Sequence, residues 1–117
     1  MARRVGVTGG RDNYDYQFID QVLRELLKSD DVLVHGDGNG VDRIAAQCAK
    51  YLGVKTEAHP AAWSSHGRKA GPIRNTEMVH SGLDLLVIFN GGAGTADMKR
   101  QATNAGIPTV QFLTSDD

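Results

Sequence analysis

A single cysteine, Cys48, in 117 residues excludes an internal disulfide and any cysteine-rich metal site. It falls on the apolar side of a helical pattern, where packing is its ordinary role. An excess of charge of one sign is equally lacking. Thirteen Lys and Arg against 14 Asp and Glu leave a net charge of −1, which argues against the basic face of a general nucleic-acid binder. Clustering could still make one positive cleft. Three phenylalanines, three tyrosines and one tryptophan are few for a row of base-stacking platforms. There is neither a signal-peptide pattern nor an apolar run long enough to span a bilayer, so the expectation is a cytoplasmic protein without membrane contact.

What is present is an ordinary globular composition, 40% apolar and 23% charged, sized for one domain over residues 1–117. Strand and helix patterns alternate along it. Residues 4–8 and 31–35 read as short buried strands, 54–58 as a weaker one, 83–90 as a fourth and 108–112 as a fifth. Phe18, Val22 and Leu26 with Ile19, Leu23 and Leu27 make an i, i+4 stripe that predicts an amphipathic helix over about residues 14–28. Ile44, Cys48 and Leu52 mark a second helix, closed by Gly53. Residues 61–71 have no period and read as a loop. Pro72 suits the first turn of a third helix ending near Gly82, and a fourth spans 95–104. Strands spaced by helices predict an α/β fold: one doubly wound, Rossmann-like domain with a mostly parallel five-stranded sheet. Such a sheet binds ligands beyond the carboxyl ends of its strands.

The most informative stretch is Phe89-Asn90-Gly91-Gly92-Ala93-Gly94-Thr95-Ala96-Asp97, where an apolar strand feeds a helix through three glycines. Backbone N–H groups there can close on an anion, and the helix start adds unpaired donors and partial positive charge. This is a phosphate site by its chemistry. It is neither a Walker A loop, because no Gly-Lys-Ser/Thr follows, nor a dinucleotide fingerprint. Glycine-rich turns also follow the first two strands, at Gly9-Gly10 and at Gly36 to Gly40, and all three turns share one sheet edge.

Four blocks come in a fixed order: Thr8-Gly9-Gly10-Arg11-Asp12, then His35-Gly36 with Gly40-Val41-Asp42-Arg43, then Ala70-Gly71-Pro72-Ile73-Arg74-Asn75, then Gly91 to Asp97. Across nearly the whole chain this order resembles the YspA-like branch of the SLOG superfamily. That Rossmann-like group includes the lonely-guy phosphoribohydrolases, the DNA-processing DprA proteins and sensor domains of nucleotide-signalling immunity systems. The resemblance implies a nucleotide or ADP-ribose-like ligand, linear or cyclic, at the glycine-rich edge. Thr8, Gly9, Gly10, Arg11, Gly36, Asp42, Arg74, Asn75, Gly91, Gly92, Gly94, Thr95 and Asp97 are then the expected ligand-binding residues. No cofactor or metal is implied. Relatives that assemble by helix packing imply a homo-oligomer.

The lonely-guy pattern is Gly-Gly-x-Gly-Thr-x-x-Glu with a catalytic arginine on the preceding helix. Arg74 matches that arginine, although Asn75 stands where a lysine is usual. Met98 occupies the glutamate's place and can neither stabilise a cationic sugar nor move a proton. Arg74 and Asp97 remain the catalytic candidates, with no catalytic residue assigned.

Bland readings stand beside these. Arg74 in a helix's first turn opposes the helix dipole by about 0.3–1 kcal/mol, which a phosphate would offset. A salt bridge to Asp97 or Glu77 is the alternative, and the ligand reading is favoured. Asp97 and Asp42 either complement a helix dipole or grip ribose hydroxyls. Thr95 reads as a helix N-cap whose hydroxyl also suits phosphate. Trp63 stacks on a base, pins its own loop or lies in an oligomer contact. Met78 and Met98 read as core fillers. His59 and His66 have no metal-ligand spacing. Three functions follow, in this order: a protein that senses or sequesters a nucleotide-derived small molecule, a nucleoside 5′-monophosphate phosphoribohydrolase, and a single-stranded nucleic-acid module.

Overall fold

Apolar runs become strands in the computed structural model, which describes residues 2–114. These are β1 (Arg4–Thr8), β2 (Val32–His35), β3 (Lys55–Ala58), β4 (Leu85–Phe89) and β5 (Thr109–Phe112). They form one sheet in the order β3-β2-β1-β4-β5. Every neighbouring pair is parallel, with Val5 set against both Leu33 and Leu85. The central strands β1 and β4 are almost wholly buried because helices cover both faces. β3 is more polar because it is an edge strand, mostly exposed.

The helices are α1 (Tyr16–Leu26), α2 (Val41–Tyr51), α3 (Trp63–His66), α4 (Ala70–His80) and α5 (Ala93–Asn104). α1 and α2 pack together on one face, where Ile19, Leu23, Val41, Ile44 and Ala45 meet Val5, Val7, Leu33 and Phe89. α4 and α5 pack on the other, where Met78, Val79, Met98 and Ala102 meet Val34, Leu86 and Ile88. Both methionines fill core, as their spacing suggested. Cys48 packs in the first cluster. Alternate residues of β1 divide between the two faces, as the period of two in a strand requires. Among the described residues no helix is long and apolar enough to cross a membrane.

Three local expectations are corrected. Residues 61–71 are not a plain loop: they hold α3, a 3-10 turn over Gly67–Lys69, and the start of α4. α3 buries none of its residues, so no apolar period could announce it. α4 begins at Ala70, which puts Pro72 at its third position and moves Arg74 out of the first turn into the second. α5 begins at Ala93 with Gly92 as the capping residue, so Thr95 is not the N-cap and Asp97 also lies in the second turn. In α4 and α5 the backbone enters the helix two residues before the residue that looked like its start.

Candidate functional site

The strand order reverses between β1 and β4, and the turns leaving those strands are stitched together. The Gly10 N–H donates to the Asn90 carbonyl at 2.8 Å. A Cβ on Gly91 would lie 2.7 Å from the Gly10 nitrogen and 2.8 Å from the Thr95 Cβ, so only glycine allows this approach. The Gly10 carbonyl in turn accepts from the Val41 N–H at 3.2 Å, which ties the third glycine-rich turn to the same seam. Around it opens a cleft of about 1650 Å³, lined by every ligand-binding candidate and by Trp63. This is the crevice that doubly wound sheets offer to ligands.

The candidates do not all present their side chains alike. Thr8, Thr95 and Asn75 are buried, forming the wall rather than reaching out of it. The Thr95 hydroxyl sits over Gly91, fixing the turn. Gly92 and Gly94 face open space, with nothing within 4 Å of a Cβ built on either. The first bond inside α5 runs from the Ala96 N–H to the Gly92 carbonyl at 3.0 Å. The N–H groups of Ala93, Gly94 and Thr95 precede it, so they have no intrahelical acceptor.

Arg74 lies across the neighbouring turn. Its Nη1 donates to the Gly36 carbonyl at 2.5 Å and its Nε to Asn75 Oδ1 at 3.0 Å. A Cβ on Gly36 would stand 2.6 Å from the Arg74 Cζ, so glycine is needed there for the guanidinium to lie down. Among the described residues Arg74 makes no ion pair; Asp97 pairs instead with Arg100 at 2.8 Å, and Glu77 pairs with neither. Burial pushes the Arg74 guanidinium below its usual range, the nearby Asp42 opposes this, and Arg11 adds to it. A cation held this way has no anion in direct contact among the described residues.

Asn75, a ligand-binding candidate that lines the cleft, is also the hub beneath it. Its amide nitrogen donates to Asp97 Oδ2 at 3.0 Å and to the Gly94 carbonyl at 3.3 Å. Asp97 accepts in addition from Gln101 at 2.9 Å. Burial would raise the Asp97 carboxyl, but Asn75, Gln101 and Arg100 outweigh it and hold it low. Gln101 escaped the sequence reading, and His35 entered it only as part of a family block. The His35 ring is buried, and its Nδ1 accepts from the Asp37 N–H at 3.0 Å. This shapes a turn in which Asp37 adopts φ +56°, a conformation that aspartate tolerates better than most residues. Burial keeps His35 below the usual histidine range, so the ring is neutral with its proton on Nε2.

Asp42 is the cleft's unusual acid. Its Oδ2 accepts from the Gly38 N–H at 3.1 Å, yet burial outweighs that bond and pushes the carboxyl up to about 6. Because the folded chain holds this proton more tightly than the unfolded one, Asp42 favours folding as pH falls from about 6 toward 4 and opposes it above. Asp42→Asn should therefore raise the Tm at pH 7.5 and flatten the profile between pH 4 and 7. The gain is at most about 3 kcal/mol, less whatever the amide loses at Gly38. A lower Tm at pH 7.5 would show that the ionised group is needed. Below pH 4.5 the slope reverses, because Arg4 and His59 hold Glu57 down at about 2 and Arg3 holds Asp31 low.

Charges around the cleft balance: Arg11, Arg43, Arg68, Arg74 and Lys99 stand against Asp12, Asp15, Asp37, Asp42 and Asp97. Among the described residues no group of three or more His, Cys, Asp or Glu side chains could hold a metal ion.

Comparison with known proteins gives three findings. The family model of the YspA, cpYpsA-related SLOG family matches residues 3–66. The Gene 61 protein of Mycobacterium phage D29 is 40% identical over 120 residues, covering 94% of this chain and 96% of that protein. The crystal structure of DNA processing protein A (DprA) from Streptococcus pneumoniae superposes with a TM-score of 0.82 over 97% of this chain, at 16% identity. This chain spans about half the length of that one, 51%.

Proposed function

Because this chain belongs to the YspA, cpYpsA-related SLOG family, we propose that it binds a nucleotide-derived small molecule as a sensor or sequestering protein. The ligand is a nucleoside phosphate, an ADP-ribose-like molecule or a cyclic nucleotide. One observation carries this reading: Arg74, partly buried and without a carboxylate partner among the described residues, shares a cleft with the open N-terminal turn of α5. A phosphate supplies the anion that both lack. Binding without turnover is the expectation, since Asp97 is engaged by three donors and Met98 is inside the core.

Small molecules released from the purified, heat-denatured protein would identify the ligand by mass spectrometry. Calorimetry against the nucleotide so identified then tests the site. Gly92→Val and Gly94→Val should fold, because both positions are open, and should lose binding at least tenfold. Arg74→Ala should lose at least as much, with Arg74→Lys intermediate because lysine cannot make two parallel bonds to phosphate. Unchanged affinity in the folded glycine variants would place the ligand elsewhere. Release of free base from AMP, GMP, CMP or UMP would favour the phosphoribohydrolase. Tighter binding of a single-stranded oligonucleotide than of any nucleotide would favour the nucleic-acid module.

A further inference from the structure

Trp63 is the chain's one tryptophan and opens α3, a single turn that buries none of its residues. The residue is 46% exposed and lines the cleft, with Cη2 at 3.5 Å from a Cβ built on Gly71. One edge of the ring is therefore backed by Gly71. Over its face lies the Arg11 guanidinium, with Cζ 5.3 Å from the ring centroid. Arg11 follows directly after the Gly10 that is bonded to the β4–α5 turn. Among the described residues it makes no ion pair, although carboxylates line the same cleft.

We propose that the face of Trp63 is the seat for the planar base of the ligand, and that Arg11 covers this seat in the free protein and leaves it for the phosphate when the base arrives. The inference rests on the phosphate reading above and adds the other end of the ligand. An exposed cation–π contact in water is weak, whereas a base stacked on an aromatic ring covers more apolar surface and holds more strongly. The displaced guanidinium has somewhere to go. Arg11 is already close enough to Arg74 to disfavour that neighbour's charge, so an anion between them relieves the repulsion. The size of the cleft fits a ligand that occupies both ends, since typical small-molecule pockets run to roughly 1,000 Å³ and this one exceeds that.

The single tryptophan makes the test direct. Ribose 5-phosphate carries the phosphate without a base; AMP, GMP, CMP, UMP and ADP-ribose carry both. At least one nucleotide should change Trp63 emission on binding and be displaced by ribose 5-phosphate. Trp63→Leu should weaken that nucleotide about tenfold and leave ribose 5-phosphate unchanged. Trp63→Phe should keep most of the affinity. Arg11→Gln should weaken ribose 5-phosphate several-fold. A Trp63→Leu protein with a lowered Tm and unaltered nucleotide affinity would overturn the inference, leaving Trp63 a structural pin. Nucleotide binding without any change in Trp63 emission would overturn it as well. Unchanged ribose 5-phosphate affinity in Arg11→Gln would overturn the role of Arg11. If neither ribose 5-phosphate nor any nucleotide binds the native protein, the phosphate reading itself fails.

Discussion

Met98→Glu should lose about 3–5 kcal/mol of stability or fail to fold, because an unpaired carboxylate would stand in the core. Met98 has no exposed surface and packs with Val34, Met78, Leu86, Ile88 and Ala102. None of those side chains can donate a hydrogen bond to a carboxylate. A domain's whole stability is about 5–15 kcal/mol, so the loss is decisive. Met98→Leu keeps the volume and should cost less than about 1.5 kcal/mol. Urea titrations followed by circular dichroism compare the two. If Met98→Glu unfolded at the native midpoint, the side chain at this position would have to reach the cleft instead. The expected result means that a catalytic glutamate cannot be restored here by one substitution. The adjoining Asp97, held by Asn75, Gln101 and Arg100, is not free to replace it without giving up those bonds.

Gly40→Ala should be the most damaging of the glycine substitutions, costing about 3 kcal/mol or more. Two penalties combine. Gly40 has φ +71°, where a Cβ alone costs about 1–2 kcal/mol. The new Cβ would also run into the Gly10 carbonyl and stand 2.6 Å from the carbonyl oxygen of Arg11. Backbone cannot yield there without moving the turn that carries Arg11. Gly53→Ala is the control: its φ is +75° but nothing lies within 4 Å, so it should show the conformational penalty alone. Thermal melts of both variants isolate the contact by difference. Equal losses would mean that the two turns move apart freely. With the expected result, any Gly40→Ala protein that still folds should bind nucleotides poorly, because the turn carrying Arg11 will have shifted.

Most of the architecture could be read from the chain because burial writes itself into apolar runs. Leu85 to Phe89 is buried on both faces and reads as a strand at once; the α1 stripe does the same at helical spacing. Even the polar edge strand β3 was legible, placed by its neighbours rather than by its own composition. What escaped is structure that buries nothing, as with α3, and helix starts hidden behind residues that look like breakers. Pro72 marked a first turn, as its missing N–H allows, but nothing in Ala70 or Gly71 announced that the helix already includes them. Buried polar partners escaped for another reason. Asn75 and Asp97 are 22 residues apart, and the Nη1 of Arg74 reaches the carbonyl of Gly36, 38 residues away. Such pairings leave no periodic trace. The glycine-rich turns were legible as a group, but not which of their glycines serve the seam and which serve the opening.

That division governs how the cleft can change over generations. Gly10, Gly40 and Gly91 hold chain against chain, so their replacement threatens inheritance of the fold itself. Gly92, Gly94, Arg11 and Trp63 border open space. A lineage can alter them one at a time without disturbing that seam. What the protein carries is thus free to drift while the scaffold that carries it stays fixed.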